Sequence, residues 1–390
     1  MNKKLIALAV VGAIFAPAVM AQSANPVTLY GTMNVDFESV KADGATGAGA
    51  NLSTRSRVSS NSSNFGVRGI EDVGGGLKAW FQIEVGVTMD VGTNTSATVT
   101  SNPFNGRNSA VGLQGVAGSI LLGNWDTPYK SAQGVVDPFY ATGIGYYANV
   151  LSGNSTPTDT ASLDRNAFDR RSGNSFQYWS PVVNGLSGRF AYSANEAKTN
   201  STAAIGASPS LTSFSGTYAK GPIFLSLAHE RHEQFANSAT ENSKDKGLKF
   251  TAVLTLGTTN LGFMAEQLKF NGNLAATGLP KNFTAGTSNE ARVNAYFFSI
   301  VHRMGPHALR GAYAADSGVK LNGGGSSTDT KARMLDLGYS YSFSKRTDFY
   351  AIYAKVTNQT NSRNNFSING ISSVNGADPV GVGVGLRHTF

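Results

Sequence analysis

Charged side chains at alternate positions along apolar segments are the residues of this chain best placed to act on a solute. Arg68, Lys78, Glu84 and Arg171 each fall on the polar side of an alternating run. Arg107 stands close to the end of such a run, where its direction is left open. A long connection from about Asp126 to Asp164 carries Asp126, Lys130, Asp137, Asp159 and Asp164, with Arg165 just beyond. Opposite charges facing each other across a narrow wet gap set up a transverse field that orders water and sorts ions by sign. The candidate constriction set is therefore Asp137, Arg68, Lys78, Glu84, Arg107, Asp126, Lys130 and Arg171.

Other chemistries find less support. His229-Glu230-Arg231-His232 invites a metal reading. On a strand, however, positions three apart point to opposite faces, so the two imidazoles cannot grip one ion. His302, His307 and His388 stand apart, and no Ser or Asp is singled out beside a His as nucleophile and base. Neither catalysis, nor a metal, nor a cofactor is expected. Trp80, Trp125 and Trp179 suit girdles at a membrane interface, although Trp80 has inward parity, which fits a lumen surface for sugars.

The elements that must position these groups read as strands. In Leu77–Asp90, Leu77, Ala79, Phe81, Ile83, Val85, Val87 and Met89 fall on one side. Lys78, Trp80, Gln82, Glu84, Thr88 and Asp90 fall on the other. A period of two is the strand signal, because successive side chains leave the pleat on opposite faces. Gly74-Gly75-Gly76 links this run to an alternating Phe65–Gly69, so the stretch from Ser63 is a hairpin with one apolar and one charged face. An apolar face this long suits a strand crossing a bilayer obliquely. Similar segments recur along the chain to a total of about sixteen, and their connections alternate between short Gly/Pro/Asn turns and long polar loops. The long ones fall near 41–54, 91–106, 126–164, 196–210, 235–246, 271–289, 317–331 and 358–377. This is the up-and-down pattern of a closed antiparallel barrel, and closure removes the edges that lipid would not tolerate. The loop from Asp126 to Asp164 holds Phe139, Tyr140, Tyr146 and Tyr147, too aromatic for solvent, and is expected to fold back into the lumen.

Bulk properties agree. Residues 1–21 have the Lys3-Lys4 n-region, apolar h-region and Val19-Met20-Ala21 end of a signal peptide, leaving 22–390 as one barrel domain. No mature segment has the run of about 18 apolar residues that a spanning helix needs. The chain has no Cys, which excludes a disulfide framework. A net charge of +8, dispersed without a basic block, gives no nucleic-acid footprint. Gly at 45 residues and a hydrophobic content of 41% fit strands with one face in lipid and one in water.

Several motifs together resemble a family. They are Val27-Thr-Leu-Tyr-Gly31, Asn64-Phe-Gly-Val-Arg-Gly69, Glu71-Asp72 with Gly74–Ala79, and Phe81-Gln-Ile-Glu84. Arg107–Leu113, Leu122-Gly123 with Thr127-Pro128, Asn174-Ser175 with Tyr178 and Ser180-Pro181, and the terminal Phe390 follow in order. The chain resembles the Gram-negative general porins of the β-proteobacterial branch, as found in Neisseria, Bordetella and Burkholderia. The resemblance implies a sixteen-stranded transmembrane β-barrel, usually a homotrimer, with the third long loop inside. It implies residence in the outer membrane, contact with its lipids, and Phe390 as the signal read by the barrel assembly machinery. Subunit contacts would come from the first and last strands and the loop 91–106. The expected activity is passive diffusion of small hydrophilic solutes and ions, with a weak anion preference. Asn64, Asn124 and Gln177 stand where relatives often carry basic residues, which bears on that preference. The alternatives are a channel specific for sugars or carboxylates, and a secreted soluble β-rich adhesin.

Overall fold

The computed structural model describes residues 27–90, 106–133, 136–140, 143–154, 164–194, 208–237, 242–272, 274, 281, 283–371 and 374–390. The signal peptide, Asp159 and nearly all of the loop 91–106 lie outside the described residues. Strand is the dominant element, 66% of the structure: β1 (Val27–Asp43), β2 (Leu52–Ser60), β3 (Asn64–Gly74), β4 (Leu77–Gly86), β5 (Ser109–Gly115), β6 (Gly118–Asp126), β7 (Arg171–Trp179), β8 (Leu186–Ala194) and β9 (Ser210–Lys220). There follow β10 (Ile223–Asn237), β11 (Asn242–Leu256), β12 (Thr259–Asn271), β13 (Glu290–Met304), β14 (His307–Asp316), β15 (Lys320–Asn322), β16 (Ala332–Ser342), β17 (Thr347–Asn358) and β18 (Asp378–Thr389).

These segments make sixteen staves. The upper half of β1 pairs with β2 and its lower half with β3, so β2 and β3 are one stave interrupted at Asn61–Ser63. Asn34 stitches the interruption: its carbonyl accepts from Asn61 N–H at 2.8 Å and from Ser63 Oγ at 3.0 Å. In the same way β13 pairs with both β14 and β15. Each stave is antiparallel to the next, and β18 pairs with β1 from Thr32↔Thr389 to Asp43↔Asp378, closing the barrel. The last residue completes the seam, Phe390 and Gly31 exchanging both backbone hydrogen bonds at 3.0 and 3.1 Å.

The alternation sorts the two faces. Leu29, Phe37, Phe81, Leu122, Leu227, Leu337 and Leu386 are exposed outward. Asn34, Asp36 and Glu38 of β1, alternating with those outward residues, are buried inward, as is Gln177 of β7. A row of exposed aliphatic side chains with no protein over it is stable only in lipid. At the short-turn rim the outer face carries His307, Tyr339, Tyr341, Phe343, His388 and Phe390, several in ring contact, Tyr341–Phe343 at 5.1 Å among them. Gly74, Gly75 and Gly76 make one of these short turns, with φ of 90, 61 and 79°.

Three loop boundaries differ from the sequence reading. β1 runs to Asp43 and β2 starts at Leu52, which shortens the first loop. β10 and β11 together take up most of 235–246, and β15 lies inside 317–331. In each case the strand continues past the level where outward residues need be apolar, so the alternation fades while the hydrogen-bond ladder goes on. The third long connection also shifts: Asp126 is the last residue of β6, and the return stave begins only at Arg171.

Candidate functional site

The third long connection lies inside the barrel, and buried contacts hold it there. It begins with a one-turn helix, Pro128–Ser131, whose Thr127 cap accepts from Lys130 N–H at 3.3 Å. Tyr129 is buried; its N–H donates to Ser213 Oγ at 3.0 Å and its hydroxyl to Glu266 at 2.7 Å. The same Glu266 accepts from Ser152 N–H at 2.5 Å, and the buried Lys249 ammonium stands 3.6 Å away. Lys249 also lies 4.2 Å from the centre of the Tyr129 ring. The returning limb is held by Arg165, which bonds Asp245 at 2.6 and 3.0 Å with both side chains fully buried.

Apolar packing completes the docking. Val136, Phe139, Ile144, Tyr146, Tyr147, Val150 and Leu151 join one buried cluster with wall residues such as Met264, Phe297, Met334 and Ile352. Tyr129, Ala132 and Phe168 join a second with Ala228, Leu268 and Phe270. Glycines in the wall make room. A Cβ at Gly338 would meet the Phe139 ring at 2.5 Å, and one at Gly381 would meet Ile144 at 2.9 Å. The bare face of β18, legible as Gly381, Gly383 and Gly385, thus receives the loop, Asp36 and Tyr350. Burial pushes the Asp169 carboxyl up from the ordinary carboxylate range; its Oδ1 accepts from the Tyr147 hydroxyl at 2.8 Å.

Among the described residues, no member of either cluster belongs to β3–β8. The described part of the loop makes its apolar packing on the staves from β9 through β18 to β2, and β3–β8 are left free of it. Five of the expected constriction residues meet along this arc. Glu84 is ion-paired with Arg107 and accepts from the Tyr30 hydroxyl at 3.0 Å. Asp126 is held by Arg171 at 3.2 Å, Lys130 at 3.3 Å and Asn108 Nδ2 at 2.9 Å. These opposite charges pair within the wall and its rim.

The other three stand elsewhere. Arg68 pairs in register with Thr28, next to the short-turn rim, where its guanidinium covers the Tyr30 ring at 4.9 Å. Lys78 lies near the same rim, opposite Asp72. Asp137 is turned into the loop itself, accepting from Phe139 N–H at 2.6 Å and Tyr147 N–H at 2.9 Å. The three departures are engaged locally: Asn64 donates to Ser62 O, Asn124 to Arg107 O and Gln177 to Asp126 O, at 3.0, 2.9 and 3.2 Å.

Several lumen arginines were missed, among them Arg57, ion-paired with the buried Glu38 at 2.7 Å. Arg189 pairs with Trp179 and lies 4.6 Å over its ring. Arg310 and Arg387 both lie 4.7 Å from the centre of the Tyr140 ring, and Arg310 also bonds Pro138 O; Arg303 shares the lumen face of β13 nearby. Inward parity would have found Arg310, but its inward neighbours Ala308, Ala312 and Ala314 blur the polar face because the loop packs there. The tryptophans depart from the girdle reading: all three gather in the lumen, and Tyr, Phe and His take the rim. His229 and His232 do leave opposite faces. His232 is buried between Phe168 and Phe235, and His229 stacks on Phe214.

A closed barrel with a lipid-compatible exterior, a polar interior and an inward loop defines a channel-forming outer-membrane protein. The family comparison makes this specific: the model for Gram-negative porins matches residues 7–361, and the chain belongs to that family. Outer membrane porin protein 32 of Delftia acidovorans is 29% identical over the whole of both chains. An outer membrane porin protein of Bordetella pertussis is 29% identical, again over all of both. Among solved structures, an anion-selective porin from Comamonas acidovorans superposes with a TM-score of 0.73 at 25% identity, covering 93% of this chain and 99% of that one. The trimer form of OmpT of Vibrio cholerae shares the fold, with a TM-score of 0.63 at 14% identity. The protein is thus an outer-membrane general porin, a passive channel.

Proposed function

We propose that this porin passes small hydrophilic solutes and ions with a modest preference for anions, and that the pathway runs between the docked loop and the arc β3–β8. One observation carries the sign. Along that arc and its rim stand Arg68, Lys78, Arg107, Lys130, Arg171 and Arg189, against three acids, Asp72, Glu84 and Asp126, the last two already ion-paired. The unbalanced remainder is positive, and in a narrow passage walled by low-dielectric protein it raises the local anion concentration. The anion-selective neighbour from Comamonas acidovorans supports the same sign. Asp137, Arg68 and the other expected constriction residues act within this reading as one field rather than as a single ring.

The working unit in this reading is a homotrimer in outer-membrane lipid, as the trimer form among the fold neighbours supports. Phe390, half-exposed on the lipid side of the closing strand, is the feature offered to the barrel assembly machinery. Residues 1–21 would be removed on export. Reversal potential across a planar bilayer in a salt gradient tests the sign. Anion preference is expected, falling toward neutrality in Arg107→Ala/Arg189→Ala. A cation preference in the unaltered protein would overturn the assignment.

A further inference from the structure

The three tryptophans of the chain meet in one place on the open arc, though they come from three strands. Trp80 and Trp179 are stacked, 6.1 Å between ring centres at 24°. Trp125 closes the group edgewise, 5.7 Å from Trp80 and 5.4 Å from Trp179. Each is only half-buried, so each keeps part of its ring surface toward the lumen. The wall is shaped around them. Gly112 lies under Trp80, where a Cβ would come within 2.5 Å of the indole. Trp80 Nε1 donates to Ser119 Oγ at 3.2 Å and Trp179 Nε1 to Gln177 Oε1 at 3.1 Å, fixing both rings. Arg189 extends its guanidinium over Trp179.

Water-facing indoles are a costly lining for a passage meant only to hold water. Partly exposed aromatic rings whose N–H groups are already satisfied offer flat apolar surface to a ligand that also has one. An adjacent guanidinium presents planar donors to a carboxylate. We infer that Trp80, Trp125, Trp179 and Arg189 form a solute-binding station in the lumen wall for small aromatic carboxylates, the ring resting on indole and the carboxylate meeting Arg189. The excess of cations along the arc selects an anionic partner over a neutral sugar. The station deepens the diffusion reading: permeation of such solutes would saturate, whereas that of chloride would not.

Because every tryptophan of the chain belongs to the station, tryptophan fluorescence, excited at the red edge where tyrosine does not absorb, reports on the station alone. Titration of the detergent-solubilised full barrel with benzoate should give a saturable change in that fluorescence. Acetate, which has the carboxylate only, and cyclohexanecarboxylate, which lacks the π face, should bind at least several-fold more weakly. Arg189→Gln should weaken benzoate about tenfold and leave benzamide unchanged. Trp179→Phe, which keeps a ring, should retain benzoate binding, while Trp179→Ala should lose it, with a heat-modifiable barrel band confirming that each variant is folded. An unsaturable benzoate response, or equal responses to benzoate and cyclohexanecarboxylate, would overturn the station. Bilayer currents separate this from the channel reading. Saturable block of the current by benzoate supports both, whereas fluorescence binding with no conductance would sink the channel and leave the station standing.

Discussion

Glu266 is the wall residue on which both limbs of the inward loop converge, and Glu266→Gln tests whether polar anchors or apolar packing keep the loop inside. In the native protein Glu266 accepts from the Tyr129 hydroxyl and from Ser152 N–H, and its charge faces the fully buried Lys249. Glutamine keeps the shape and one carbonyl acceptor but leaves the ammonium without its counter-charge. Removing one partner of a buried pair costs about 3–5 kcal/mol, because the remaining charge stays desolvated. Against this stand Val136, Phe139, Ile144, Val150, Leu151 and Phe168, all buried. Burying six such side chains is worth about 9–18 kcal/mol gross, before the entropy of ordering the loop. The packing exceeds the anchor, so the loop should stay in the lumen while the Tyr129 and Ser152 contacts loosen. Single-channel recording should then show open-channel current noise well above that of the native protein, with mean conductance changed by much less than loss of the whole loop would produce. Lys249→Met/Glu266→Gln removes both charges, so no uncompensated ion is left in the interior; this double variant should be quieter than Glu266→Gln. If the single variant is as quiet as the native channel, or if the double variant is the noisier, Glu266 is not an anchor and the reasoning fails.

Three further outcomes follow from the same contacts. Asp137→Asn keeps one oxygen acceptor but cannot accept from both Phe139 and Tyr147 N–H, leaving a backbone donor unmet at about 1–3 kcal/mol; loop noise should rise while the reversal potential moves little. The buried Asp169 has its carboxyl pKa raised, so the docked loop holds the proton more tightly than an undocked one. Docking is therefore firmest at acid pH and weakens as pH rises through that raised value; noise should increase with pH in the native channel and lose this dependence in Asp169→Asn. Deleting Phe390 removes two backbone hydrogen bonds to Gly31 at the seam and the terminal aromatic with them, and the yield of folded barrel in outer-membrane fractions should fall severalfold while total synthesis is unchanged.

The barrel was legible because a wall between lipid and water imposes period two on every stave and leaves no other element to confuse it. The reading failed where that constraint ends. Phe235–Asn237 and Asn242–Lys246 stand on strands above the apolar belt, and without a lipid face they read as loop. Trp125 has inward parity, three positions from the outward Leu122, but its inward neighbours Leu121 and Gly123 carry no polar group that would mark that side as the lumen.

The candidate site was less legible than the fold for a related reason. Parity tells which side of the wall a charge faces, but not its height along the barrel or its neighbour across the lumen. Arg68 and Glu84 share inward parity, yet Arg68 stands by the rim over Tyr30 while Glu84 pairs with Arg107. Arg165 finds Asp245 80 residues away, and Tyr129 finds Glu266 137 residues away. Such pairs are fixed by how far each stave is sheared against the next, a property of the closed ring and not of any local run. The docked loop inherits the same dependence. A one-residue slip of β12 would turn Glu266 outward and one of β11 would turn Asp245 outward, leaving Lys249 or Arg165 buried without its partner. The inward loop is thus itself a check on barrel register: staves assembled out of step could close the ring, but could not hold the loop.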